Sequence, residues 1–470
     1  MIRNKRYMLW PVLIFCLAGC KKYVETRTQG ALVPGQWQNY RYILNSSTAF
    51  SAGPAIADGA SDDVQMVDGS AQQKDLSGND YYAFYPNSYS WLPVLFPLSG
   101  MYYQDQNWNG MYNTVTNANV VIQEVPAVTD GTEDQKAELI AEALVHRADA
   151  YLMLVNTYAK PYNASTAATD PGVPLVLKET TTQSLSRAKV QEVYRQIVND
   201  LEIAAPSLPA TQAFTLLPTK ASAFGVLARC FLYMNQYDSA NRYADSALSY
   251  NSTLNDLGVI TFLDYTTYPL QRLDPEILLA KATSYSSTGY APYALRLSDT
   301  LLSVLGTTDQ RYVLFTTDAS NVSSSYTDVG GRFYYKERAM GETRNVGPTV
   351  PEMMLIKAEH YARSGDAASA MTWVNKLRVK RFKAADYVAS SATDANDALV
   401  KVIQERQREF FCRMLRWWDM RRLKSEARFQ RTLTRVFGGV TRTLDPASDR
   451  YTFQIAPYNL KLNPEIQQNP

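Results

Sequence analysis

Two stretches of this chain place small residues where two helices would have to touch. From 219 to 250, small and large apolar residues fall at Phe224, Leu227, Ala228, Phe231, Tyr237, Ala240, Ala244 and Ala247, with a break near Asn235-Gln236. A second unit, over 351–380, carries Met354, Ala358 and Tyr361, then Gly365-Asp366, then Ala370, Val374 and Leu377. Spacings of three and four collect each set on one helix face. Small residues on that face let two helix axes approach closely, and stacked pairs bury a shared face. The pattern therefore predicts stacked antiparallel helices, with Ala228 and Ala358 buried at close helix contacts. Further helices are predicted near 36–47, over 108–125, 133–159 and 187–205, near 291–305, and as one long element over 396–424. The third of these opens with Glu133-Asp134, whose charges suit a helix N-terminus. Residues 52–80 read as loop, and 81–103 are rich in aromatics and prolines without clean periodicity. Residues 160–186 read as an insertion, and 251–350 as loops and short strands. A Gly438-Gly439 turn and an extended tail close the chain.

The chain begins with Arg3, Lys5 and Arg6, an apolar run from Tyr7 to Leu17, and Leu17-Ala18-Gly19-Cys20. A basic start, a short apolar core and small residues before a cut make a signal peptide. The run is too short to span a bilayer, and Trp10-Pro11 interrupts it. A cysteine directly after the small residues resembles a bacterial lipoprotein box, which implies acylation of Cys20 and a folded part outside the cytoplasm. The formal charge is +2, and loss of the three basic residues in 1–19 leaves −1. A near-neutral chain lacks the basic face that general nucleic-acid binding needs. Of the four cysteines, only Cys230 and Cys412 lie beyond the anchor, both in helical runs, and they read as buried thiols. The two histidines, His146 and His360, leave little material for a His-based metal site or triad. No metal and no cofactor is expected. Asp58, Asp62, Asp63 and Asp68 do not fit the calcium-loop spacing and read as a solvated loop.

Tyrosine is the compositional anomaly, with 32 Tyr against 16 Phe and 7 Trp. Tyrosine suits a ring with one wet edge, at an interface or a binding face. Loops carry specificity on a rigid scaffold, and flat rings stack on sugar faces. The densest loop cluster is Tyr81, Tyr82, Tyr85, Tyr89 and Trp91, and the second is Tyr285, Tyr290 and Tyr293. Candidate ligand-binding residues are Tyr81, Tyr85, Trp91 and Tyr290, with Asp80 or Asn87 donating or accepting hydrogen bonds at hydroxyls. Packing of these same rings against the helices is the alternative, above all for Trp91, flanked by Leu92 and Pro93.

The segment from Glu405 to Arg422 reads as a buried helix: Phe410, Phe411, Met414, Leu415, Trp417 and Trp418 cover more than one face. Its charges are expected to pair locally, Glu409 with Arg413 and Asp419 with Arg416 or Arg422. The same string resembles the late signature of the SusD/RagB family, "E-R-x-x-E-F…R-W-x-D-x-R-R". Trp108 through Tyr112, Val115 and Ala118-Asn119 resembles the family's early "W…Y…I…A-N" helix. Glu142-Ala143, Arg147-Ala148 and Tyr151 resembles its "E-A…R-A…Y" helix, and Thr219-Lys220-Ala221 its "T-K-x-A" entry to a repeat. Pro351-Glu352 through Ala358-Glu359, Arg363, Gly365, Asn375, Leu377 and Arg378 resembles "P-E…L…A-E…A-R-x-G…N-x-L-R", and Asn463 to Pro470 resembles the closing "P…E…N-P…Q-N-P". The two helical units are also similar to tetratricopeptide repeats. Arg413 departs from the family, which usually has Glu there, and Lys21-Lys22 replaces an acidic cluster after the lipidated cysteine.

The resemblance implies a mainly α fold: a tetratricopeptide-like helical-pair scaffold with a loop-rich ligand face and a few short strands. Its implied organisation is a lipoprotein signal peptide over 1–19, a lipidated tether over 20–35, an N-terminal SusD-like helical and loop region over 36–250, and a C-terminal RagB/SusD-like region over 251–470. It implies an outer-membrane lipoprotein, at the cell surface of Bacteroidetes-type bacteria, that captures oligosaccharides for a TonB-dependent SusC-like transporter. Such a protein binds without catalytic turnover. Peptide capture, as in the RagB branch, is one alternative. A glycoside hydrolase is a less favoured one: carboxylates are plentiful, but no Gly-x-Ser-x-Gly, His-Glu-x-x-His or phosphate loop is present. A plain repeat scaffold that binds only protein is a third. Cys20→Ala is expected to release the protein from the membrane fraction, because each acyl methylene contributes roughly 0.8 kcal/mol to anchoring. Retention of the variant in membranes that lack its transporter would contradict the anchor.

Overall fold

The computed structural model describes residues 35–470 apart from 51, 80–82, 102, 179–183, 263, 265–266 and 283–291. The signal peptide, Cys20 and nearly all of the tether lie outside the described residues. The longer helices are α1 (Trp37–Leu44), α2 (Ala71–Gly78), α3 (Gln106–Glu124), α4 (Glu133–Tyr158), α5 (Val190–Ala204) and α6 (Lys220–Tyr233). They continue as α7 (Tyr237–Tyr250), α8 (Val350–Arg363), α9 (Ala367–Arg378), α10 (Ala395–Phe410) and α11 (Leu415–Leu423). Helices α3 to α10 stack in chain order, each packed on the next. The fold is thus the predicted mainly α, tetratricopeptide-like stack of helical pairs.

Local chemistry starts the helices where the sequence asks for them. Thr132 caps α4 in a reciprocal box: its hydroxyl accepts from Gln135 N–H, and the Gln135 side chain accepts from Thr132 N–H. Thr219 and Thr349 cap α6 and α8 in the same position. Ala228 and Ala358 are fully buried, as the small-residue pattern predicts. Ala240, Ala244 and Ala247 of α7 pack with Ala228 and Leu232 of α6 and with Val350, Met353 and Met354 of α8. Buried bidentate ion pairs fix the order of the stack. Arg147 of α4 holds Asp200 of α5 through two bonds of 2.8 Å, and Arg229 of α6 holds Glu352 of α8 at 2.8 and 2.5 Å.

The strands form three antiparallel pairs: β1 (Pro171–Pro174) with β2 (Arg187–Lys189), β3 (Thr316–Asp318) with β4 (Arg332–Tyr334), and β5 (Leu433–Phe437) with β6 (Val440–Leu444). Gly438 and Gly439 join the last pair with φ of 62° and 72°, which only glycine adopts without strain. The main core takes residues from both sides of position 250, from Ala52 to Ile466. Cys230 and Cys412 are free and buried, as read from the sequence.

Four expectations change. Residues 52–80 are no simple loop: they contain a short helix, Ile56–Ala60, and α2, and 52–64 are buried. Asp58, Asp62 and Asp63 are 1%, 8% and 0% exposed, so three of the four acids are not solvated. Groups distant in sequence satisfy them: Arg344 pairs with Asp58 and Arg416 with Asp62, while Asp63 accepts from the Gln407 side chain and the Cys412 amide. The 396–424 helix breaks after Phe410, where Cys412 and Met414 take φ of 56° and 59°. The break frees backbone N–H groups: Cys412 donates to Asp63 at 3.1 Å and Met414 to Asp58 at 2.6 Å. Glu409 does not pair with Arg413; it binds Arg311 at 2.7 Å and Arg381 at 2.9 Å, and Arg413 turns to Glu337 at 3.6 Å. Asp419 pairs with Arg422 as expected, but its second arginine is Arg406, because Arg416 reaches Asp62.

Burial alone would raise the carboxyls of Glu359 and Glu405. Arg422 and Arg363 around the first, and Arg311 and Arg378 around the second, overcome it and hold both at about 2. A depressed folded pKa gives stability that is present above the unfolded value of about 4.5 and lost as pH falls through 2. The melting temperature is accordingly expected to drop steeply between pH 4.5 and 2, and Glu359→Gln to flatten that drop while lowering stability at pH 7. An unchanged acid limb in the variant would show that this pair does not drive acid unfolding.

Candidate functional site

Helix α2, which leads into the first tyrosine cluster, and Tyr293, which ends the second, meet at one cleft. Helix α2 is set by its cap, Ser70, whose hydroxyl accepts from Gln73 N–H, and its C-terminal end delivers Asn79 to the start of the first loop. Gln72 of α2 donates to the carbonyl of Tyr293 at 2.7 Å, which fastens the end of the second loop beside it. The Tyr293 ring meets Tyr326 edge-on at 6.3 Å, and Tyr326 in turn packs on Phe333 of β4 at 5.9 Å. Asp328 accepts from the Ala71 amide at 3.3 Å. Val67 and Ala71 pack on the same small core as Val329 and Phe333. A cleft of about 520 Å³ results, lined by Lys74, Asp75, Leu76, Gly78, Asn79, Tyr293 and Ser323. It presents an ammonium, a carboxylate, an amide, a hydroxyl and a tyrosine ring, the mixture that fixes a polyhydroxylated ligand.

The sequence-derived candidates divide. Asp80, Tyr81 and Tyr290 lie outside the described residues; their chain neighbours Asn79 and Tyr293 line the cleft. Tyr85 and Trp91 are corrected: they are 0% and 5% exposed and belong to the core. Tyr85 stacks on Phe84 at 4.3 Å. Trp91 donates its indole N–H to Ala60 O at 3.0 Å, and the Arg435 guanidinium lies over its ring at 4.4 Å and over Tyr89 at 4.1 Å. That arginine also donates to Gly59 O and Tyr89 O, so both rings hold a structural cation. Asn87 is half-buried and spends its amide on Leu95 O at 2.9 Å. Lys74, Asp75 and Ser323 were missed. Lys74 and Asp75 sit on a polar turn of a helix that the composition of 52–80 disguised as loop, and Ser323 belongs to the serine run at 323–325 without a local signal of its role.

The most perturbed ionisable groups lie elsewhere. Asp63 is raised to about 7 by burial, which outweighs Arg416, Gln407 and the Cys412 amide. It is locked in the interior. No group of three or more His, Cys, Asp or Glu among the described residues could hold a metal ion.

Stacked helical pairs, a polar cleft beside α2 and the buried arginine–carboxylate segment at 405–422 together define a class of proteins. Residues 58–232 match a family model described as starch-binding associating with outer membrane, and residues 350–470 match the SusD family. The chain belongs to the SusD/RagB family. Among its relatives is the SusD-like protein P38 of Formosa agariphila, 22% identical over 77% of this chain and 78% of that protein. A SusD superfamily protein of Bacteroides thetaiotaomicron shares the fold with a TM-score of 0.67 at 19% identity, over 93% of this chain and all of the other. A SusD-like carbohydrate binding protein of Bacteroides vulgatus does so with a TM-score of 0.66 at 17% identity, over 92% of this chain and 98% of the other.

Proposed function

We propose that this protein is a lipid-anchored receptor at the surface of the outer membrane, which captures an oligosaccharide in the loop cleft and delivers it to a TonB-dependent SusC-like transporter. The observation that carries the reading is the cleft between α2, Tyr293 and Ser323, on a family scaffold some of whose members are described by their sugar binding. A tyrosine ring with amide, carboxylate and hydroxyl groups around it suits stacking of the ring's face on a sugar with hydrogen bonds at the sugar's rim. Attachment is through Cys20 of the lipoprotein box; no described helix is long and apolar enough to cross a membrane. The reading is of binding without turnover: Glu405, Glu409 and Asp419 of the signature segment are each held low by facing arginines and serve as scaffold charges. The two regions, 36–250 and 251–470, then act as one body that holds the loops.

Calorimetry with a panel of neutral oligosaccharides and peptides tests the proposal. A glycan is expected to bind the wild type. Tyr293→Ala is expected to weaken it by about fivefold or more, the loss of roughly 1 kcal/mol that a stacking ring supplies, with little change in melting temperature. Tyr85→Ala, by contrast, is expected to lower stability by about 3–5 kcal/mol as a buried aromatic. Binding of peptides alone, or glycan binding indifferent to Tyr293, would overturn the assignment. In native membranes the protein is expected to co-purify with a large β-barrel, and its isolation without one after crosslinking would remove the transporter from the account.

A further inference from the structure

A second pocket of about 630 Å³ opens on another part of the molecule, where the 160–170 insertion, the turn between α6 and α7, the end of α11 and the C-terminal tail come together. It shares no lining residue with the loop cleft. Its floor contains a charge that the protein itself leaves unpaired. Of the six arginines between Glu405 and Arg422, five have carboxylate partners: Arg406 with Asp419, Arg408 with Glu405, Arg413 with Glu337, Arg416 with Asp62, and Arg422 with Glu359. Arg421 has none among the described residues. It is 2% exposed, donates one bond to the carbonyl of Ala159, and its Nε–H has no acceptor. The hydroxyl of Tyr233 is likewise buried without a hydrogen-bond partner.

A second cation faces the same space. Lys424 lies one helical turn beyond Arg421's neighbour, rests over the Tyr451 ring at 4.8 Å and has no ion pair among the described residues. Burial and then the Arg421 charge hold its ammonium below the usual lysine value. Burial likewise lowers the Arg421 guanidinium to about 10. Two converging cations disfavour each other's charge unless an anion lies between them. Two acids line the same pocket without pairing with either cation: Asp170 is engaged by Lys160 at 3.3 Å, and the exposed Asp449 acts on Lys424 only at a distance, too weakly to offset burial. Around the cations are the ring of Tyr162, which packs edge-on to Tyr194 at 5.1 Å, and the amides of Asn163 and Asn235. Amides and a ring beside a guanidinium form a set that reads hydroxyls and one negative charge.

We propose that this pocket binds an acidic sugar unit, its carboxylate or sulfate ester received by Arg421 and Lys424 and its hydroxyls by Asn163 and Asn235. The site is independent of the loop cleft, so either assignment can fail without the other.

The test is calorimetry on the full-length, detergent-solubilised protein with three probes: glucuronate, glucose 6-sulfate and glucose. At least one of the two acids is expected to bind, more weakly as salt is raised, and glucose is not. The arm that binds identifies the anionic group. Lys424→Gln, at a half-buried position that can change without a core defect, is expected to weaken binding about tenfold while leaving the melting temperature of the free protein in place. Arg421→Lys is expected to weaken it as well, and a loss of folding in that variant leaves Lys424→Gln to decide. Tyr293→Ala is expected to leave this binding untouched. Absence of binding by both acids, equal binding of glucose, or affinity indifferent to Lys424→Gln would overturn the proposal.

Discussion

The structure depends on three aspartates near one end of the chain being answered by arginines and amides from the other. Asp62 receives Arg416 in a two-bond fork at 2.7 and 3.0 Å and is also paired with Arg431. Asp58 is paired with Arg344 and accepts from the Met414 amide, and Asp63 accepts from Gln407 at 3.1 Å and from Cys412. A buried carboxylate without partners is costly, so these contacts constrain the chain to one closure. The turn at 411–414 exists in its strained form because two of its amides are needed there. Arg435 completes the arrangement from β5, with its charge spread over the carbonyls of Gly59 and Tyr89 and the faces of two rings.

This closure has a consequence for binding. It ties the segment that leads into α2 to the helix stack, and Gln72 then ties α2 to Tyr293. The cleft between α2 and Tyr293 thus stands on a base that charge pairing ties together. The same lattice runs on through Arg311, Glu405, Glu409 and Arg381, and through Arg406, Asp419, Arg422 and Glu359. Interlocked pairs of this kind add little net stability over apolar packing, but a wrong closure would strand several charges at once.

The helical pairs were legible because their information is local: alanines at intervals of three and four mark a face wherever they occur, and Ala228 and Ala358 lie where that rule puts them. The aspartates were misread because their partners are 286, 354 and 349 residues away, and no spacing rule reaches that far. The same distance explains Glu409, whose helix offers Arg413 while the fold supplies Arg311 and Arg381. Tyr85, Trp91 and Tyr293 have similar local surroundings in sequence. Only the packing of Ala60, Phe84 and Arg435 around the first two, and of α2 beside the third, separates core from cleft.

A double-mutant cycle on Asp58 and Arg344, read by urea unfolding, addresses the closure directly. Asp58→Asn, Arg344→Met and the double variant are compared with the wild type. If the pairing across the chain organises the fold, the single variants lose several kcal/mol and the double variant recovers part of that loss, with a coupling energy of about 2 kcal/mol or more. A coupling within about 0.5 kcal/mol of zero would mean that the two ends close independently of this charge pair, and would contradict the account.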